Sequence, residues 1–208
     1  MQETHAAPQE HGTEAQRSAF GRFVHGTSLP NVLTVFRIVL IPLLIWILLS
    51  TGNWQEVAHG GSHRWWAFAI FAMLMFTDQL DGYLARRYEV ITDFGKLADP
   101  IADKALMISA LVCLNILHEL PAWVTAIIVV RELGITVWRM GLARRGKVVP
   151  ASQGGKLKTV LQTFAVGLYI MPLTGWGHTI AVVAMGLAVV VTVVTGLQYL
   201  IDSGRAKR

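Results

Sequence analysis

The chain has 208 residues, of which 53% are hydrophobic and 15% charged, with a mean hydropathy of +0.49 and a formal charge of +5. That composition excludes a disordered chain and argues against a water-soluble domain; the length suits one compact membrane domain. The basic residues flank apolar runs, so the positive charge reads as topology and affinity for anionic headgroups, not for nucleic acid.

Residues 1–17 are polar, without an apolar period, and lack the basic-then-apolar layout of a cleavable signal. They are expected to form a disordered cytoplasmic tail. Residues 18–28 set Phe20, Phe23 and Val24 beside Arg22 and His25. This is either a short amphipathic segment lying on the membrane surface or an ordered linker. Hydropathy and length then predict six spanning helices, over 29–50, 65–86, 100–118, 121–143, 157–173 and 178–201. The six-helix membrane domain covers 29–202, and 203–208 form a basic tail. Trp54, Trp65, Trp66, Trp123 and Trp176 fall near the predicted ends, as an aromatic belt requires. Cys113 is the sole cysteine and lies inside an apolar run, where packing is its role.

Lys and Arg fix the expected orientation. The loops after the first, third and fifth segments carry one basic residue, Arg64. The other side holds Arg17, Arg22, Arg87, Lys96, Arg144, Arg145, Lys147, Lys156, Arg205, Lys207 and Arg208. Both termini are therefore expected on the cytoplasmic side.

The stretch from Asp78 to Asp103, DQLDGYLARRYEVITDFGKLADPIAD, is where the chemistry concentrates. Asp78 and Asp81 are three apart, and Asp99 and Asp103 four apart, so each pair shares a helix face. The first stripe continues through the small residues Gly82 and Ala85, with Arg86 following as a fork for phosphate. One acid before a proline, as in Asp99-Pro100, is an ordinary helix N-cap. Four acids clustered at one membrane edge are another matter, because intramembrane charge is costly and is functional by default. Two carboxylate pairs on adjacent helices suit a pair of divalent cations, an arrangement that serves phosphoryl transfer.

These residues match D-x2-D-G-x2-A-R-x8-G-x3-D-x3-D through Asp78, Asp81, Gly82, Ala85, Arg86, Gly95, Asp99 and Asp103. On that motif the chain resembles the CDP-alcohol phosphotransferase family. The resemblance implies a six-helix membrane bundle, usually a homodimer, that moves a phosphate-linked group from a CDP-linked donor to an alcohol and releases CMP. It implies two divalent cations, Mg²⁺ or Mn²⁺, held by Asp78, Asp81, Asp99 and Asp103, with Asp103 also the general base. CDP-diacylglycerol would be seated by Asp81, Gly82, Ala85 and Arg86, helped by Asn31 and Thr34.

Further pieces extend the resemblance. Asn31, Thr34 and Arg37 recur every three residues along one face of the first helix. Asn31 is also a plausible cap, and Arg37, well inside the run, needs an anionic partner. Arg131 and Glu132 interrupt the fourth segment, with Arg139 two turns on. They read as a structural charge pair or as part of a basic pocket. The pieces V-R-E-L-G-I-T and G-K-x-K-T-x-x-Q, the latter running from Gly155 to Gln162, resemble the phosphatidylglycerophosphate synthase branch. That branch implies sn-glycerol 3-phosphate as acceptor, with Arg37, Arg131, Arg139, Lys156 and Lys158 as candidates for its phosphate. The acid motif alone leaves inositol phosphate, or phosphatidylglycerol in a cardiolipin synthase, open as acceptor. A cation transporter is the rival from another class, but its acids would spread across the bilayer depth. No H-E-x-x-H motif and no Walker loop is present.

Overall fold

The computed structural model describes the backbone of residues 29–51, 62–88, 93–144 and 153–205, and the side chains of 34–51, 63–80, 101–142, 155 and 157–202. The expected tail over 1–17, the juxtamembrane segment over 18–28 and the last three residues lie outside the described residues. Within them the chain is all helical: α1 (Leu29–Ser50), α2 (Ser62–Tyr88), α3 (Asp93–Ile116), α4 (Ala122–Arg144), α5 (Gln153–Ile170) and α6 (Trp176–Arg205).

Most ends have a local cause. Pro30 sits in the first turn of α1, where its missing N–H costs nothing. Pro121 immediately precedes α4 and accepts from Val124 N–H at 3.0 Å. Pro172 closes α5, and Gly175, at φ 54°, turns the chain into α6. The end of α3 is a Schellman motif. Glu119 N–H donates to the Leu114 carbonyl at 3.0 Å and His118 N–H to the Asn115 carbonyl at 2.9 Å. His118 takes the left-handed position (φ 59°) that glycine usually fills.

Helix α3 departs from the expected boundary. The spacing predicted a start at Pro100, with Asp99 available as a cap, yet the helix runs from Asp93 straight through both. An interior proline removes a single N–H, and helices in apolar surroundings absorb that loss. Asp99 and Asp103 therefore both stand on continuous helix, one turn apart. α2 and α5 likewise begin three and four residues before their expected starts, and α6 continues to Arg205.

α1 packs along α2 and α3, α5 runs along α6 and against α2, and α4 bridges α3 and α6. On α1 the buried stripe is Thr34, Arg37, Ile41, Leu44 and Leu48, at alternating steps of three and four. The common core joins Leu44 and Leu48 to Phe71, Leu74, Leu106, Leu111, Leu114, Ile128, Val166, Ile170 and Met185. The outward faces are apolar as well, with Trp46, Phe76, Val130, Phe164 and Val190 exposed. A bundle greasy on both sides of its helices suits lipid rather than water. Among the described residues, α6 over Trp176–Asp202 is the helix both long and apolar enough to cross a bilayer by itself, at mean hydropathy 2.6. The apolar stretches Thr34–Ser50 and Leu157–Ile170 are shorter. α2, α3 and α4 carry the ionisable residues described next, which dilute their hydropathy.

Candidate active site

The site grows from charged side chains that the fold pulls under cover. On α1, Arg37 is fully buried, and its Nη1 lies 3.0 Å from Asp78 Oδ1 on α2, whose side chain keeps 29% of its surface. Arg37 thus has the anionic partner its depth requires, and Asp78 is oriented by a guanidinium behind it.

A second group surrounds a cleft between α3, α4 and α5. Its walls carry Asp103 and Lys104 from α3, Glu132 from α4, and Lys158, Thr159 and Gln162 from α5, over an apolar floor that includes Met107, Leu111 and Ile128. Lys158 is 4% exposed, and its Nζ donates to Glu132 Oε1. The same oxygen accepts from Arg131 Nη1 at 3.0 Å. Arg131 Nη2 reaches Thr195 Oγ1 at 3.3 Å, and the arginine stem lies against Gly196, where a Cβ would come within 3.3 Å of its Cγ. Gln162 is 2% exposed, and its Oε1 has no hydrogen-bond partner among the described residues.

Of the residues singled out in the sequence, Asp103 and Lys158 line the cleft, while Thr34 and Arg37 lie on the buried stripe of α1. Arg131 turns toward α6 instead of forming the cleft wall, and Arg139 is exposed two turns further along α4. The side chains of Asn31, Asp81, Gly82, Ala85, Arg86, Asp99 and Lys156 lie outside the described residues. Lys104 was missed altogether. Glu132 was read only as a partner for Arg131, and Gln162 only as the end of a motif. The signal for Lys104 was its place beside Asp103, with Ile108 and Leu111 following at offsets four and seven.

The carboxylates fit a hard cation. Asp78 and Asp81 share a turn of α2, Asp99 and Asp103 share a turn of α3, and α1 packs on both helices. The donor set is oxygen alone, which suits Mg²⁺, Mn²⁺ or Ca²⁺ and disfavours soft metals. Among the described residues no three such donors converge; Asp78 and Asp103 are the two of the four whose side chains are described.

A family model described as CDP-alcohol phosphatidyltransferase matches residues 27–194. The chain is 48% identical over 172 residues to a Mycobacterium tuberculosis protein named "Probable phosphatidylglycerophosphate synthase", spanning 83% of this chain and 79% of that protein. It is 38% identical over 180 residues to a Bacillus subtilis CDP-diacylglycerol--glycerol-3-phosphate 3-phosphatidyltransferase, spanning 83% of this chain and 93% of the relative. A Shigella flexneri protein of the same name is 34% identical over 178 residues, with coverage of 83% and 93%.

Proposed function

The chain belongs to the CDP-alcohol phosphatidyltransferase family, and from that premise we propose that it transfers the phosphatidyl group of CDP-diacylglycerol to sn-glycerol 3-phosphate, giving phosphatidylglycerophosphate and CMP. The observation that carries this reading is the cleft in which a carboxylate, Asp103, faces the buried ammonium of Lys158. An acceptor that brings both a hydroxyl and a phosphate needs those two groups within one small space.

The acceptor's primary hydroxyl gives its proton to Asp103 as its oxygen bonds to phosphorus. The phosphorus–oxygen bond to CMP breaks, and CMP leaves with the electron pair. Lys158 holds the acceptor's phosphate, with Lys104 on the facing wall and Lys156 two residues nearer the helix start. Gln162 Oε1 is free to accept from a second acceptor hydroxyl. Arg37 holds Asp78 in place, and Arg131 acts on the cleft through Glu132. Asp81, Gly82, Ala85 and Arg86, with Asn31 and Thr34, seat the cytidine diphosphate. Bound by Asp78, Asp81, Asp99 and Asp103, one or two divalent cations would neutralise the diphosphate and the charge building on departing CMP.

The enzyme would work as a homodimer in the cell membrane, with six spans and with both termini and the cleft cytoplasmic. The Lys and Arg asymmetry and the apolar outer faces support that placement. The decisive assay is CMP release by purified protein supplied with CDP-diacylglycerol, a divalent cation and one acceptor at a time. Release with glycerol 3-phosphate alone is expected. Release only with inositol phosphate or phosphatidylglycerol would keep the chemistry and overturn the acceptor, and none with any acceptor would return attention to cation transport.

A further inference from the structure

Lys158 already has a partner, and that partner is an acid in the same cleft. Among the described residues, the ionisable groups lining the cleft are two acids, Asp103 and Glu132, and two bases, Lys104 and Lys158. Those four groups carry no net charge between them, which is an odd lining for a pocket meant to capture a dianion. Charge complementarity is how such a pocket draws and selects its ligand.

We propose that Glu132 is a built-in counter-ion that occupies Lys158 until the phosphate of the acceptor displaces it, and that it thereby sets the cleft's affinity for phosphomonoesters. The inference rests on the acceptor reading above. Two features of the pairing support it. A buried ammonium without a partner is costly, so Lys158, at 4% exposure, needs an anion while the cleft is empty. Glu132 also has somewhere to go. Its Oε1 keeps Arg131 Nη1 at 3.0 Å when Lys158 leaves, and Arg131 is anchored on the far side by Thr195 and Gly196. The two cations divide the work by their chemistry. A lysine on a flexible four-carbon stem can swing from one anion to another, whereas the guanidinium is fixed by its fork. The exchange also selects the acceptor. A phosphomonoester brings the charge to replace Glu132 on Lys158, while an uncharged alcohol brings none and leaves the ion pair shut.

The test uses full-length protein in detergent, with inorganic phosphate as the probe in calorimetric titrations, alongside steady-state kinetics with glycerol 3-phosphate. Glu132→Gln is expected to bind inorganic phosphate about tenfold more tightly and to lower KM for the acceptor without moving KM for CDP-diacylglycerol. In a Lys158→Met background the same substitution should change nothing, a coupling that a merely structural glutamate would not show. If Glu132→Gln fails to fold, Glu132→Asp draws the carboxylate back by one methylene and should shift phosphate affinity in the same direction by less. Phosphate affinity that is unchanged or weaker in the variant overturns the proposal, since Glu132 would then be holding Lys158 in its binding position. Should wild-type protein release no CMP with any acceptor, the proposed reaction fails, yet the phosphate titrations still decide the counter-ion.

Discussion

Arg64 offers the sharpest test of how the bundle is held. It is the lone basic residue in the loops expected on the outer side, and the structure buries it completely at the start of α2. Its Nη1 donates to Glu119 Oε1 at 2.7 Å and its Nη2 to Glu119 Oε2. Nε donates to the Ile170 carbonyl at 2.9 Å, and Nη2 also to the Tyr169 carbonyl at 3.0 Å. One guanidinium thus ties α2 to the turn after α3 and caps the last turn of α5, where helix carbonyls lack intrahelical donors. The left-handed His118 is what delivers Glu119 to it. Arg64→Met leaves the Glu119 carboxylate, 2% exposed, without its cation. Breaking a buried pair from one side costs about 3–5 kcal/mol. The two α5 carbonyls lose roughly 1 kcal/mol each in addition.

Denaturant unfolding in detergent, followed by CMP release per folded molecule, separates stability from chemistry. The single variant should lose about 3–5 kcal/mol or more. The double variant Arg64→Met/Glu119→Leu removes the stranded charge and should recover all but roughly 2 kcal/mol, the part owed to the carbonyls. Activity per folded molecule should stay near wild type, because Asp78 lies about 21 Å further along α2 at 1.5 Å per residue. A single variant within about 1 kcal/mol of wild type would refute the reasoning, as would a double variant less stable than the single one.

Other substitutions probe the remaining claims. Asp103→Asn keeps the side-chain shape but removes the base, so turnover should fall by roughly 10²–10⁴ with the unfolding curve unmoved; near-normal CMP release would exclude Asp103 as proton acceptor. His118→Gly relieves the left-handed strain at an exposed position and should stabilise the protein by roughly 0.5–1 kcal/mol, less than the full strain because glycine also loosens the unfolded chain. Chelation should abolish CMP release, and Mg²⁺ or Mn²⁺ should restore it, as suits an all-oxygen donor set; full activity in chelator would refute the carboxylates' role.

The helices were legible because periodicity and length report burial and span directly, and the expected segments overlap all six. Boundaries failed where one residue type has two meanings. Pro100 reads as a helix start, but it lies inside α3 because a single lost hydrogen bond does not outweigh the packing around it. The partners of the charges were not legible at all. Arg64 meets Glu119 across 55 positions, Arg131 meets Thr195 across 64, and Lys158 meets Glu132 across 26. Spacing rules see one helix at a time, so they found Asp103 and Lys158 separately and gave no reason to bring Glu132 between them. They also pointed Arg131 at the cleft, when the absence of a side chain at Gly196 lets it pack against α6.

How far each buried charge is satisfied separates structural from functional roles more reliably than its position does. Arg64 spends its donors on a bidentate carboxylate and two carbonyls, and nothing in that set has a reason to move. Such saturation maximises stability and leaves no affinity over for a ligand. At the other end of the bundle the bonding is incomplete. Among the described residues Gln162 Oε1 and Arg131 Nε have no hydrogen-bond partners, and one oxygen of Glu132 serves two cations at once. An unmet buried polar atom costs free energy, and at Gln162 it lines the cleft proposed to take the acceptor. The acceptor's hydroxyl and phosphate would meet Gln162 and Lys158 in a single binding event. Substrate binding would then complete a network the chain leaves open.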